Sequence, residues 1–269
     1  MSADRPEAVR VAVAGASGRL GGAVLRRLAA DERFRVTATL VRPDSQLLGQ
    51  SVALDLLQIP EFTSDADNWR NPQVLFDASR AEAVAAHAER AAGDGAGLVV
   101  AVTGLPDATE KALAAAAQHV PVLVSANLSL GVAVLARLVR EAAARLRGYD
   151  VEVVEAHHAG KRDAPSGTAL WLGAEAARAR GWSWPQAARQ GRAGATGPRP
   201  EAEIGLHSIR AGSVPGEHRV WLGGAGEHLE LVHVAESRDC FAAGALEALA
   251  FVARARPGRY TMEDVTGSP

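Results

Sequence analysis

The chain has 269 residues, 48% of them hydrophobic, and its 29 lysine and arginine residues nearly balance 31 aspartate and glutamate, for a formal net charge of −2. That balance speaks against a nucleic-acid partner, which a clustered basic surface would have to grip, and the apolar content excludes an extended disordered chain. The polar stretch 1–10 lacks the apolar centre of an export signal, apolar runs stop far short of the roughly 20 residues of a bilayer span, and the single cysteine, Cys240, has no partner for an internal disulfide; the expectation is a cytoplasmic protein without a membrane partner.

Val9–Ala14 is a short apolar run that ends in a glycine-rich turn, Gly15-Ala16-Ser17-Gly18-Arg19-Leu20-Gly21, and a helix follows to about Ala30. Ser17 stands where the second glycine of G-x-G-x-x-G would fall. The turn still lies between a strand and a helix, where small residues let the backbone approach a pyrophosphate and the helix start offers its positive end. Phe34–Val41 reads as the next strand. It runs into Val41-Arg42-Pro43-Asp44, with an arginine in the zone that reads the ribose 2′ position, so NADPH is expected in preference to NADH, which stays possible. Short strands at Val74–Phe76, Leu98–Val102 and Val122–Val124 alternate with helices at Ala81–Ala92 and Asp107–Gln118. Such alternation predicts a Rossmann-like, doubly wound parallel sheet with helices on both faces.

After a helix at about Leu130–Leu146 the pattern changes. Val151–Ala156 reads as a strand, a helix begins near Gly167, Arg189–Pro200 is a loop rich in Gly, Arg and Pro, and three strands cluster at Glu203–Arg210, Glu217–Leu222 and His228–Ala235. Strands arriving together without helices between them predict a second, α+β domain on a mixed or antiparallel sheet. A final helix, Phe241–Ala253, closes the chain.

The densest chemistry lies in Glu155 to Ala169, which holds His157, His158, Lys161, Asp163 and the Ser166-Gly167-Thr168 start of a helix. Amides at a helix N-terminus, with the hydroxyls of Ser166 and Thr168, form a cradle for a carboxylate or phosphate. The histidines add an acid/base step beside it. Lys161 stands out because only two basic residues, Lys111 and Lys161, are lysines against 27 arginines, and lysine is the one that can release a proton. No metal is expected: neighbouring strand residues point to opposite faces, which separates His157 from His158, and no Cys cluster or H-E-x-x-H accompanies them. The remaining histidines, His218 and His233 among them, read as packing or surface residues.

With these residues together the chain resembles the dihydrodipicolinate reductase family of the diaminopimelate route to lysine, over about Val9 to Phe251. The Glu155–Ala169 stretch carries the resemblance most specifically; Arg192-x-Gly194-x-x-Gly197-x-Arg199, Arg210 to His218, and Ser237-Arg238-x-x-Phe241 add to it. The resemblance implies NAD(P)H-dependent reduction of 4-hydroxy-tetrahydrodipicolinate (dihydrodipicolinate) to tetrahydrodipicolinate. It implies that His157 is the acid/base group, Lys161 a proton donor, and His158, Gly167 and Thr168, beside Ser166, the holders of the substrate carboxylates. Gly15, Ala16, Ser17, Gly18, Arg19, Leu20, Arg42, Ala101, Val102, Thr103, Ser125, Ala126, Asn127 and Leu128 would contact the dinucleotide. Residues 1–127 and 238–269 would form the cofactor domain and 128–237 a substrate-binding and oligomerisation domain, through whose sheet a homotetramer assembles. The chain departs from the family's Gly-Thr-Thr-Gly loop at Ala101-Val102 and from its Pro-Asn-Phe at Ala126 and Leu128, and has Val41 where an acidic residue often stands. Two other readings remain open: a related amino-acid or imine dehydrogenase, and an NADP-sensing protein on the same fold.

Overall fold

The computed structural model describes residues 7–51, 59–64 and 69–267. Of the polar N-terminal stretch read for an export signal, residues 1–6 lie outside the described residues, as do 268–269 at the chain's end. In chain order the elements are β1 (Val9–Ala14), α1 (Arg19–Ala29), β2 (Phe34–Val41), β3 (Phe62–Ser64), β4 (Val74–Asp77), α2 (Ala81–Asp94), β5 (Gly97–Val100), α3 (Asp107–Ala116) and β6 (Pro121–Val124). There follow α4 (Leu130–Arg145), β7 (Asp150–His157), α5 (Gly167–Arg180), β8 (Ala188–Gln190), β9 (Ile204–Arg210), β10 (Gly216–Gly224), β11 (Glu227–Ala235), α6 (Asp239–Val252), β12 (Gly258–Tyr260) and α7 (Met262–Val265). They form two compact units, one of residues 1–129 with 241–269 and one of residues 130–240.

In the first unit seven strands run in the order β12-β6-β5-β4-β1-β2-β3, and each pairing is parallel. Parallel strands covered on both faces have no solvent side to mark, so β4 and β5 are buried at every residue and read as plain apolar runs rather than alternating ones. The chain proceeds outward from β1 through β2 to β3 and then returns to β4 on the other side of β1. That reversal opens a crevice at the carboxyl ends of β1 and β4, where doubly wound sheets bind ligands. The strand expected over Leu98–Val102 ends at Val100, and the Ala101 amide makes the last bond of its ladder, to the Asp77 carbonyl at 2.8 Å.

In the second unit the order is β11-β10-β7-β9-β8, with β7, β9 and β8 mutually parallel and β10 antiparallel to both β7 and β11. Val151, Val153, Ile204, Leu206, Val220 and Leu222 on one face of this mixed sheet form a core with α4 and α5. On the opposite face Ile209, Trp221, Val232 and Val234 are 41–55% exposed. The first two residues of the expected Arg189–Pro200 loop belong to a strand, since β8 lies alongside β9 from Ala188 to Gln190. Among the described residues no helix is long and apolar enough to cross a membrane.

Candidate active site

All the residues expected at the dinucleotide lie in the first unit. At the end of β1, Gly15 has φ +71°, and a Cβ there would stand 2.4 Å from the Ala78 carbonyl oxygen just beyond β4. A Cβ on Gly21 would stand 2.2 Å from the Gly15 carbonyl oxygen. Only glycine lets this turn fold down so tightly at the crevice. Arg19 and Leu20 open α1, which has Gly18 as its cap, no side-chain capping bond and no acidic residue in its first turn. The helix start therefore keeps its unsatisfied amides and positive end for an anion, and the turn fits a pyrophosphate.

Arg42 follows β2 and is exposed, with its Nε 3.1 Å from the Asp44 carboxylate. Ala101, Val102 and Thr103 leave β5, and Ser125 to Leu128 leave β6, so both loops lie at the carboxyl ends of the parallel strands. The second loop is tied locally: Ser125 Oγ donates to the Asn127 carbonyl (2.6 Å) and the Ser129 amide to Asn127 Oδ1 (2.9 Å), with Leu128 buried. Beside them Asp77 is fully buried and bonded to Ser79 Oγ (2.5 Å) and His87 Nδ1 (2.7 Å).

The catalytic and substrate residues expected from the sequence lie in the second unit, at the end of β7 and the start of α5. Side chains alternate along a strand, so Val151 and Val153 enter the core and Glu155 and His157 continue the same face. Glu155 is fully buried. His157 Nδ1 lies 2.5 Å from Glu155 Oε2, and Arg210, opposite His157 in the β7–β9 register, forks onto both Glu155 oxygens at 2.8 and 2.7 Å. Burial alone would raise the Glu155 carboxyl; Arg210, with Ser208 and His157, overrides it and holds the group at about 2. Burial lowers His157 below the usual histidine range, against the pull of the Glu155 carboxylate. The histidine is thus neutral at pH 7, its Nδ1–H donated to Glu155 and its Nε2 left to exchange a proton.

Lys161 Nζ pairs with the Asp163 carboxylate at 2.8 Å. That bond holds the Asp163 carboxyl below its usual range. His158 donates its amide to the Val214 carbonyl (2.8 Å), and its Nε2 lies 3.2 Å from Arg238 Nη2. Arg238, the start of the segment expected to return to the cofactor domain, belongs with the second unit, while Phe241 is the first residue of the return.

Ser166 caps α5, its Oγ accepting from the Ala169 amide at 3.1 Å. The same oxygen shares a hydrogen bond with His218 Nε2, also at 3.1 Å. The Ser166 amide meanwhile donates to Glu155 Oε1 (3.1 Å). Both polar groups of Ser166 are thus engaged at the start of α5, where Gly167 and Thr168 follow it.

His218, which reads in the sequence as a packing or surface residue, is a member of this cluster. It is 4% exposed, its ring packs edge-on to His157 with centroids 5.2 Å apart, and burial, with His157 as the next influence, pushes its pKa down to about 3. Glu155 and Arg210 were also without an assigned role. No local pattern marks these three; the registers that pair Glu155 with His218 and His157 with Arg210 do.

A parallel sheet with a glycine turn after its first strand, and a second unit that sets a histidine and a lysine beside an anion-receptive helix start, are the parts of a Rossmann-type oxidoreductase. Family models for dihydrodipicolinate reductase match the chain twice, the N-terminus model over residues 9–128 and the C-terminus model over 131–266. The chain belongs to the dihydrodipicolinate reductase family. It is 43% identical over 265 residues to the 4-hydroxy-tetrahydrodipicolinate reductase of Thiobacillus denitrificans, covering 96% of this chain and 98% of that one. An Anaeromyxobacter sp. enzyme of the same name is 43% identical over 262 residues, with 96% and 98% covered. The fold is shared with a dipicolinate-bound dihydrodipicolinate reductase from Paenisporosarcina sp. TG-14, at a TM-score of 0.76 and 23% identity over 96% of this chain and 99% of that one.

Proposed function

We propose that the protein reduces 4-hydroxy-tetrahydrodipicolinate to tetrahydrodipicolinate in the diaminopimelate route to lysine, with NADPH as the preferred nicotinamide cofactor. The observation that carries this is the Glu155–His157 pair set beside Lys161 and the α5 start in a chain of this family. The glycine turn after β1 would hold the pyrophosphate of the dinucleotide, and the reduced nicotinamide, when bound, would supply the hydride for the ring carbon conjugated with the imine. The chain's own residues do the rest. Gly167 and Thr168 at the positive end of α5, with His158 and Lys161, hold the two carboxylates; Ser166 shapes that helix start through its cap. His157 moves the proton at Nε2, its imidazolium form countered by the Glu155 carboxylate against Nδ1, and Lys161 serves as a second donor. The 4-hydroxyl leaves as water to give the conjugated dihydrodipicolinate ring, and hydride and proton then add across its carbon–carbon double bond.

The preference for NADPH is supported by Arg42 and by the absence of an acid at Val41. The first unit takes the cofactor role and the second the substrate role. A homotetramer formed through the second sheet is supported by the uncovered apolar side chains of Ile209, Trp221, Val232 and Val234, and the working compartment is the cytoplasm. Dipicolinate, a planar dicarboxylate, tests the substrate reading directly. Titrated into the NADPH-bound protein in a calorimeter, it should bind, and Lys161→Met should weaken it at least tenfold. Absence of binding, or binding indifferent to Lys161, would contradict the assignment of this site.

A further inference from the structure

The mechanism uses His157 and the α5 start but gives no reason for an ionised carboxylate buried between them. Glu155 is 0% exposed and, besides Ser208, receives four donors. Oε2 takes His157 Nδ1 at 2.5 Å and Arg210 Nη1 at 2.8 Å; Oε1 takes Arg210 Nη2 at 2.7 Å and the Ser166 amide at 3.1 Å. Stability does not account for such a group, because a buried ion pair is often no better than an apolar pair of the same volume.

We propose that Glu155 is the positioning residue of the active site: it fixes the tautomer and orientation of His157 and, through the Ser166 amide, ties the substrate-holding end of α5 to the same carboxylate. This rests on the reading of His157 as the acid/base group. A neutral imidazole carries one N–H, and which nitrogen bears it is set by the hydrogen bond of the other. Donation of Nδ1–H to Glu155 leaves Nε2 as the reactive nitrogen, and on protonation the new charge forms against a carboxylate. Arg210 contributes a planar fork that spans both oxygens, so the carboxylate cannot rotate away from either His157 or Ser166. The low proton affinity of Glu155, about 2, keeps it ionised throughout the working pH range. One rigid group therefore couples where the proton is delivered to where the carboxylates are held.

The test is a double-mutant cycle on kcat with saturating NADPH, using Glu155→Gln, His157→Gln and the pair. Glu155→Gln should lower kcat by roughly 10²-fold, as loss of an orienting partner does for other histidines, while NADPH affinity is kept. In the His157→Gln background the same change should cost nothing further. The alkaline limb of the pH–rate profile should move to lower pH in Glu155→Gln, since the imidazolium has lost its counter-charge. If Glu155→Gln fails to fold because Arg210 loses its partner, Glu155→Gln with Arg210→Met removes both charges and should show the same slow rate and shifted limb. A slow His157→Gln beside an undiminished Glu155→Gln, or effects that multiply in the pair, would overturn the proposal. Full turnover in His157→Gln alone would remove the acid/base reading and the proposal with it.

Discussion

Replacing Gly15 by alanine separates two costs that the structure keeps apart at another glycine. Gly15 and Gly181 have nearly the same backbone conformation, φ +71° and +73°, so each alanine carries the same left-handed penalty of about 1 kcal/mol. Their surroundings differ. A Cβ on Gly181 meets nothing within 4 Å, whereas one on Gly15 stands 2.4 Å from the Ala78 oxygen, 2.6 Å from its carbonyl carbon and 2.9 Å from the Ser79 nitrogen. These are backbone atoms at the end of β4, so the clash is relieved only by moving the strand end or the turn, at a further ~1–3 kcal/mol. Gly181→Ala should therefore cost about 1 kcal/mol and Gly15→Ala about 2–4 kcal/mol. Urea unfolding reads the difference, each kcal/mol moving the midpoint by roughly 0.3–1 M. Because the same turn is the proposed cradle of the pyrophosphate, Gly15→Ala should also weaken NADPH at least tenfold while Gly181→Ala leaves it unchanged. Equal midpoints for the two variants, or intact NADPH binding in Gly15→Ala, would refute the reasoning.

Arg42→Ala should weaken NADPH by about 1.5–3 kcal/mol, the loss of one charge-assisted contact to the 2′-phosphate, and leave NADH nearly unaffected; cofactor titrations that fall equally would sink the preference. Lys161→Arg should abolish most turnover, because a guanidinium neither fits the place of a compact ammonium nor releases a proton, whereas Lys111→Arg should stay within about 0.5 kcal/mol of the parent in stability; near-normal steady-state rates for Lys161→Arg would leave lysine a binding role only. His218 should contribute to the loss of stability in acid. Its folded pKa of about 3 lies below the ordinary 6.5, so below pH 6.5 the unfolded chain binds the extra proton and stability falls with pH, by up to ~1.4 kcal/mol per unit for this group. Glu155, held at about 2, adds its own loss only below about pH 4.5. His218→Gln should then lose less stability than the parent between pH 7 and pH 5 in urea unfolding, and an identical drop would show that His218 takes no part.

Local chemistry made much of the molecule legible. The glycine turn, the apolar runs of β1, β4 and β5 and the cap at Ser166 are all set within a few residues of chain. The rest depends on partners far away in sequence. The strands β3, β8 and β12 are three residues each and exist because a neighbouring strand offers its edge. Val102 is apolar enough to extend β5, yet the pairing with β4 ends at Asp77 and Val100. The local sequence marks Ser166 as a helix cap but not its hydrogen bond with His218, 52 residues on. The Glu155–Arg210 pair likewise spans 55 residues, and its parallel register is a property of the finished sheet.

Reduction by this chain with His157 as the acid/base group is open to a direct measurement. The direct measurement is the loss of nicotinamide absorbance when the substrate is generated in situ by its synthase in the presence of NADPH and the purified protein. The account predicts oxidation of NADPH that requires the substrate and slows by roughly 10² to 10⁴ in His157→Gln, with NADPH binding retained in that variant. NADPH oxidation no faster than the background without the protein, or equal rates for the parent and His157→Gln, would contradict it.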